Sequence, residues 1–377
     1  MDGIARADAD LAALGRDGGL LTVDLGAVRA NYRLLRDRVG AAECAGVVKA
    51  DGYRLGAAAI MQALAREGCR NFFVAHLSEA VALRPALPGG ARLIVLHGPT
   101  PGAEPDFAAH GILPVLNTVQ QVAGWSRLCR ERGARLAALL QLDSGMTRFG
   151  LSEPELDDVL GQGVLGDFDL LYVMSHLACA DAPEHPANAA QLAAFGRMRA
   201  ALPGVKASLA ASSGIFLGPA YHFDLVRPGV ALYGVAPTPG ANPMRPVIRL
   251  QGLVVQVRDV ACDVAVGYGH VGRTDRRARL ATVAVGYADG FHRSLGGAAA
   301  GWIGDVRLPI IGRVSMDSLV LDATDAGPVA PGTLVDLIGP HQDVDAVAAM
   351  AGTIGYEILT GLGHRYARRL IGVEGSI

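Results

Sequence analysis

Short apolar runs alternate with amphipathic segments through the first two-thirds of the chain. AGVVKA (45–50), RNFFVAH (70–76), RLIVLHG (92–98) and ILPVLN (112–117) come first. LAALLQLD (136–143), LLYVMSH (170–176), KASLAAS (206–212) and LVRPGVALYG (225–234) follow. Between them, segments such as GAAAIMQALAREG and NTVQQVAGWSRLCRERG place apolar residues at helical spacing. Near-continuous apolar strands alternating with helices describe a parallel sheet covered on both faces. Eight such units predict an α/β fold, a (β/α)8 TIM-type barrel over residues 24–238. An open doubly wound sheet is the alternative that the pattern allows.

The texture changes after residue 238. TPGANPMRPV has the proline and glycine of a linker. LQGLVVQVRDV, RLATVAVGYAD, RLPIIGRVSMDSLVLDA and GTLVDLIG follow as strand-like runs spaced by turns, with one helical stretch, DAVAAMAGTIGYEILTGL. They predict a mainly β domain over 239–377. Near the N-terminus, LLTVDLGAVRANYRLLRDRVG holds a strand ahead of the first barrel helix. The segment 1–23 is therefore expected to pair with the C-terminal domain.

Composition narrows the class. A chain of 377 residues exceeds one ordinary core, and its net charge of −2, with no basic stretch, argues against a nucleic-acid partner. The 51% hydrophobic content comes largely from alanine and valine. No apolar run reaches the roughly 18 to 20 residues of a membrane span. The first twenty residues carry acids and lack an apolar signal core, so a cytoplasmic location is expected. Five scattered cysteines, Cys44, Cys69, Cys129, Cys179 and Cys262, form no CxxC pair. Reduced thiols and no metal site are the expectation.

Lysine use singles out a candidate. Of 34 basic residues only Lys49 and Lys206 are lysines. Functional groups of a barrel sit at the C-terminal ends of its strands. Strand one ends in Lys49 and leads to Tyr53; strand five ends in Asp143 and leads to Arg148. Strand six gives Ser175 and His176, strand seven Ser212 and Ser213, and strand eight Arg227, Pro228, Gly229 and Val230. Alone, Lys49 would be a solvated strand end. Together these residues place cations, hydroxyls and glycine at one mouth. A lysine amine attacks carbonyls and is the usual tether of pyridoxal phosphate. Gly229 and the hydroxyls suit a phosphate cradle.

Eight stretches in order, VVKADGYRLG, LDSGMTRFGLS, SHLACAD, HFDLVRPGVALYG, VGYGH, VAVGYADGF, GRVSMD and IGYEIL, resemble the alanine racemase family of fold type III pyridoxal-phosphate enzymes. The resemblance runs through nearly the whole chain. It implies a barrel plus a β domain, and a head-to-tail homodimer whose active sites are each completed by the partner's β domain. It implies pyridoxal 5'-phosphate on Lys49, with Lys49 and Tyr268 as the two catalytic bases. Arg227 would face the pyridine nitrogen, and Arg148 the phenolic oxygen and the substrate carboxylate. His176 would lie between the tyrosine and Arg227. Tyr53, Ser212, Gly229, Val230 and Tyr356 match phosphate contacts, and Met316 a substrate contact from the partner. Asp181, Tyr287, Arg293 and Arg313 match residues lining the entrance.

The implied reaction interconverts L-alanine and D-alanine by a two-base mechanism on a pyridoxal-phosphate aldimine, supplying D-alanine for peptidoglycan. Two bases on opposite faces explain how a proton leaves one face and returns on the other. A guanidinium has donors and no acceptor, so Arg227 would leave the ring nitrogen unprotonated and disfavour transamination. A racemase of broader specificity is the nearest rival, and a non-catalytic pyridoxal-phosphate protein a more distant one. The chain departs from the family at KADGYRLG, where KANAYGHG is common, and at VGYGHVG near Tyr268. Gln141 stands where some members carry a carbamylated lysine.

Overall fold

The computed structural model describes residues 16–373, so residues 1–15 of the expected N-terminal segment and residues 374–377 lie outside the described residues. The chain folds into two compact units. One is Val28–Arg245; the other joins the stretch through Ala27 to Pro246 and beyond. The proline-rich linker counts with the first unit because it is pinned there. Asn31 donates to Arg245 O at 3.0 Å and accepts from Arg245 N at 2.7 Å, and Asn242 donates to Gly234 O at 2.8 Å.

Strand β1 (Gly19–Asp24) belongs to the second unit. The first is a parallel barrel of β2 (Glu43–Cys44), β3 (Gly46–Val47), β4 (Asn71–Val74), β5 (Arg92–Val95) and β6 (Leu113–Leu116). It continues through β7 (Ala137–Gln141), β8 (Asp169–Met174), β9 (Lys206–Ser208) and β10 (Leu225–Val226). β3 to β9 pair in chain order. β10 then joins both ends of that sheet. It runs parallel to β2, and Ala45 N and Val47 N donate to Val226 O and Pro228 O at 2.9 and 3.0 Å. On its other side Asp224 N and Arg227 N donate to Ala207 O and Ala210 O at 3.0 and 2.9 Å. The expected eighth strand, 225–234, is thus only two residues long. Pro228 has no N–H to continue the ladder, and Val230–Tyr233 is a 3-10 turn.

Burial explains the apolar runs. Phe72, Phe73 and Val74 in β4, Leu139 and Leu140 in β7, and Val173 in β8 are all fully enclosed. A parallel strand covered on both faces has no solvent side to mark with polar residues. The helices take ordinary stops. Thr118 caps Val119–Arg132 by accepting from Gln121 N, and Gly133, at φ +60°, ends it.

Lys206 opens β9, at the end of the barrel opposite Lys49. Its amine lies 3.0 Å from Glu43 Oε1, which also takes the Tyr172 hydroxyl at 2.8 Å, while Glu43 Oε2 takes Asn71 Nδ2 at 3.0 Å. The second lysine therefore belongs to a polar cluster that ties four strands together at the N-terminal face, where residues serve stability.

The second unit is built on β11 (Ile248–Val260), a strand of 13 residues. It pairs antiparallel with β1, and β1 pairs in parallel with β19 (Ala367–Ile371), so strands from near both ends of the described residues enter one sheet. The small hairpin of β12 (Ala265–Val266) and β13 (Gly272–Arg273) carries the VGYGH stretch. β14 (Ala278–Val283), β15 (Ala300–Ile303), β16 (Val306–Pro309), β17 (Leu319–Asp322) and β18 (Leu334–Ile338) complete the strands. The single helix expected near the C-terminus is two, Val344–Ala351 and Gly355–Gly361, because Gly352 adopts φ +75° and ends the first. Among the described residues no helix is long and apolar enough to cross a membrane, and no cysteine is in a disulfide.

Burial pushes the Glu43 carboxyl up, but the hydrogen bonds from Lys206 and Tyr172 outweigh it and hold the group below its usual range. A depressed carboxyl stabilises the fold above its unfolded pKa of about 4.3 and loses that contribution as pH falls through the lower folded value. Glu43→Gln should therefore flatten the acid limb of a thermal-melting profile. Lys206→Met, at a half-exposed pair, should cost no more than about 1 kcal/mol at neutral pH.

Candidate active site

The strand expected to run through Ala50 stops at Val47, and the next N–H, that of Val48, still donates to Phe73 O at 2.8 Å. Lys49 follows, and the chain then makes a left-handed turn: φ is +55° at Ala50, +53° at Asp51, +61° at Gly52, +56° at Tyr53 and +68° at Arg54. Such a turn costs L-residues about 1–2 kcal/mol each, so it persists only where surrounding bonds over-determine it. They do. Arg54 N donates to Ala50 O at 2.7 Å and Gly56 N to Asp51 O at 2.9 Å. Asp51 Oδ1 accepts from Ala57 N at 2.9 Å, and Glu79 Oε1 accepts from Ala50 N at 2.6 Å. Tyr53 is buried, its ring centroid 4.4 Å from that of Tyr233, and the Tyr233 hydroxyl donates to Val47 O at 2.9 Å. The turn delivers Lys49 to the mouth and folds Tyr53 back into the wall.

Tyr53 meets the loop after β10. A Cβ added at Gly229 would collide with the Tyr53 hydroxyl, so only glycine lets the two approach. Ser212 Oγ accepts from Gly229 N at 3.0 Å and from Ala231 N at 3.2 Å. Its own proton is left to donate. Tyr53, Ser212, Gly229 and Val230 thus come together as hydroxyls and backbone, which suits the oxygens of a phosphate. Ser212 is the buried serine of the pair; Ser213 begins a 3-10 turn.

Arg227 is 3% exposed and has no carboxylate beside it. Its Nη1 donates to Ser208 Oγ, and its Nη2 to Ser175 O at 2.6 Å and Leu209 O at 3.4 Å. Asp224, three residues before Arg227 in the chain, accepts from Ala207 N at 2.7 Å instead. Nε of Arg227 makes no hydrogen bond among the described residues. Burial pulls the guanidinium down to about 10. A guanidinium whose protein partners are all neutral, with one donor left over, fits a neutral acceptor such as a ring nitrogen lone pair.

Arg148 sits on the loop after β7. Asp143 Oδ1 shapes that loop by accepting from Gly145 N, Met146 N and Thr147 N at 2.9, 2.9 and 3.0 Å. Gly150, at φ +107°, lets the loop return so closely that a Cβ would stand 2.6 Å from Leu142 C. Ser175 Oγ joins this loop to the next, 2.7 Å from both Ser144 Oγ and Leu142 O. Arg148 is exposed and forms no ion pair or hydrogen bond among the described residues, so it is available to an anion.

Cations dominate the mouth. Burial, then Arg148, lowers the Lys49 amine, while Glu79 opposes them. Burial, then Arg227, Arg148 and Lys49, drives His176 down to about 3, so its imidazole is neutral. Lys49, Tyr53, Arg148, His176, Ser212, Arg227, Gly229 and Val230 are therefore gathered at the C-terminal mouth of the barrel. Asp181 is exposed on the loop after β8.

Tyr268, Tyr287, Arg293, Arg313, Met316 and Tyr356 belong to the second unit. Tyr287 N and Ala288 N donate to Ser315 O and Met316 O at 3.0 Å, and a Cβ on Gly269 would lie 3.4 Å from Arg313 Nη1. The loop after Arg293 packs on Arg313, 2.9 Å from a Cβ built on Gly296. Arg365 braces the group, holding Asp289 at 2.7 and 3.0 Å and Asp317 at 2.7 Å. The apolar side chains here face outward: Tyr268 is 72% exposed, Met316 53% and Tyr287 41%. Tyr268 starts a 3-10 turn between Gly267 and Gly269, both at positive φ.

Sequence reading missed Glu79, Ser208 and Tyr233. The first carries a signal, since Glu79 stands three residues after His76 at a strand end, the spacing of a capping box. Nothing in the spacing of Ser208 or Tyr233 marks them.

The model of the family "Alanine racemase, N-terminal domain" matches residues 23–237, and that of "Alanine racemase, C-terminal domain" residues 247–370. A catabolic alanine racemase of Mesorhizobium japonicum is 52% identical over 359 residues, 94% of each chain. An alanine racemase of Rhodospirillum rubrum is 49% identical over 367 residues, 96% of this chain and 98% of its own. The crystal structure of alanine racemase from Bartonella henselae, with covalently bound pyridoxal phosphate, superposes with a TM-score of 0.90 at 41% identity, covering 94% of this chain and 99% of that one.

Ser212→Ala would leave the N–H groups of Gly229 and Ala231 buried without an acceptor. Chemical denaturation should show a loss of about 1–3 kcal/mol, the range for an unsatisfied buried group. Ser213→Ala should change stability little.

Proposed function

This chain belongs to the alanine racemase family, and we propose that it interconverts L-alanine and D-alanine with pyridoxal phosphate held on Lys49. The observation that carries the reading is Arg227: a buried guanidinium with neutral partners and an Nε left without an acceptor. The residues fit the cofactor. Tyr53, Ser212, Gly229, Val230 and, from the second unit, Tyr356 would take the phosphate; Arg227 would face the ring nitrogen.

Pyridoxal phosphate, when bound, joins the substrate amine and makes the α-proton acidic. The chain does the rest. Lys49 takes or returns that proton on one face of the substrate and Tyr268 on the other. Burial and Arg148 favour the neutral, proton-accepting amine of Lys49. His176, its imidazole neutral, would lie between Tyr268 and Arg227. Arg148 and Met316 hold the substrate. Arg227 offers donors only, so it would bond to a ring nitrogen through its lone pair without supplying a proton acceptor for it, which would disfavour transamination. Asp181, Tyr287, Arg293 and Arg313 line the way in. Gln141, buried behind the Arg148 loop, puts a neutral amide where some members of the family carry a carbamylated lysine.

We also place the site in a two-fold dimer, each Tyr268 serving the partner's Lys49. A tyrosine 72% exposed beside an exposed Met316 is poorly used by a lone subunit and suits an interface. We assign the enzyme to the cytoplasm and its product to peptidoglycan. A second reading, consumption of D-alanine as a nutrient, is favoured by the catabolic name of the Mesorhizobium japonicum relative. An isomerase runs both ways, so deletion decides: a D-alanine requirement supports the first role, lost growth on alanine alone the second.

The reading as a whole is tested by chiral product analysis with a panel of L-amino acids. Alanine should be racemised fastest; no racemisation of any would overturn it. Tyr268→Phe removes only a hydroxyl. In heavy water it should lose α-proton exchange for one enantiomer by about 10²- to 10⁴-fold and keep it for the other. Family resemblance gives L-alanine to Tyr268 and D-alanine to Lys49. Equal slowing of both enantiomers would remove Tyr268 as a base.

Mixing inactive Lys49→Ala and Tyr268→Phe chains should restore part of the activity. Each mixed dimer would then hold one site with both bases. Absence of recovery despite measured subunit exchange would place Lys49 and Tyr268 in one chain's own site.

A further inference from the structure

Val48 N is the last donor of its strand to reach the neighbouring strand, at Phe73 O. Past that point the chain turns left-handed, and Ala50 N has no carbonyl to meet. Glu79 supplies the acceptor from another element, its Oε1 2.6 Å from Ala50 N. We infer that Glu79 is a positioning residue for Lys49: its carboxylate clamps the Lys49–Ala50 peptide and thereby sets the direction in which the Lys49 side chain enters the mouth. The inference rests on Lys49 being the reacting amine.

Helix capping explains only half of Glu79. Its Oε2 accepts from Ala75 N at 2.7 Å and His76 N at 3.0 Å, closing the start of Leu77–Leu83. A cap needs no more than this. The other oxygen reaches back 29 residues, to the peptide that follows Lys49. One rigid carboxylate thus locks the end of β4 to the first peptide of the strained turn.

Among the described residues, the same group is the anion that acts on Lys49. Arg148 faces the amine from the loop after β7, His176 from the end of β8 and His97 from the end of β5. His76, at the end of β4, stacks edge-on against His97 with ring centroids 4.5 Å apart. Burial and then Arg148 lower the amine; Glu79 raises it. Glutamine keeps the reach but loses the charge and one of the two acceptor oxygens, so it gives up either the cap or the clamp, while aspartate keeps the charge and both oxygens and shortens the reach.

The chain's two lysines make the test clean. Full-length Glu79→Gln and Glu79→Asp are stripped of cofactor and labelled with an amine-reactive acetylating reagent across a pH series. Lys49 is read by peptide mass spectrometry against Lys206. Glu79→Gln should move the Lys49 midpoint to lower pH and leave Lys206 in place. Glu79→Asp should slow reloading of pyridoxal phosphate and, once loaded, lower kcat by about tenfold to 10²-fold with KM nearly unchanged, the effect of a misplaced reacting group. Unchanged Lys49 labelling in Glu79→Gln together with unchanged reloading in Glu79→Asp overturns the inference. Should Glu79→Asp fail to fold, cofactor reloading by Glu79→Gln, which has one acceptor oxygen for the three N–H groups, takes its place, and reloading at the unaltered rate overturns the inference. Borohydride fixation of cofactor on Lys206 in the unaltered protein would instead overturn the reading of Lys49 itself, which keeps the two failures apart.

Discussion

An arginine enclosed in a barrel without a carboxylate is expensive, and the mouth is arranged around that expense. Arg227 loses its water and receives only a serine hydroxyl and two carbonyls in return. Those acceptors come from β9 and from the ends of β8 and β9, so satisfying the guanidinium closes the barrel where β10 is shortest. Ser175 then passes the constraint on, through its own hydroxyl, to the loop that carries Arg148. One buried cation therefore fixes the mutual positions of strands six, seven and eight and of a second arginine.

The opposite wall is held by strain rather than by charge burial. Four non-glycine residues in left-handed conformation follow Lys49, and they are kept there by the Asp51, Glu79 and Tyr233 contacts. The turn lets one short segment present an amine to the mouth and, four residues later, a tyrosine to the Gly229 loop. An ordinary strand end would send alternate side chains to opposite faces and could not place both. The energetic cost of the turn is thus tied to what the site needs from it.

The second unit contributes side chains that its own fold does not bury. Glycines at positive φ on both sides of Tyr268, and the Asp289–Arg365–Asp317 bridge beneath Met316, give these exposed groups fixed backbones. Rigid exposure of a tyrosine and a methionine has little value to a folded domain in isolation. It has value where another surface completes the contact.

Much of this was written locally. Apolar runs of strand length, separated by helical spacing, marked the barrel strands except the two-residue β2, because burial on both faces leaves a strand no polar side. The lone strand-end lysine, the arginine before Pro228 and the glycine after it were visible as residue types at strand ends. What the sequence could not disclose depends on distance along the chain or on backbone conformation. Ser212 rather than Ser213 is chosen by the N–H groups of Gly229 and Ala231, residues that only barrel closure brings near. Glu79 reads as a helix cap until the turn after Lys49 places Ala50 N against it. A turn is legible in KADGY from Asp51 and Gly52, but the left-handed run from Ala50 to Arg54 is not, since it is imposed by partners in other elements. Sequence alone determined the order of elements and the chemical types at the mouth, because periodicity and residue identity are local. Tertiary structure decided which donors meet which acceptors, because a hydrogen bond requires two groups within about 3 Å, a condition set by the closing of the barrel and not by any stretch of chain.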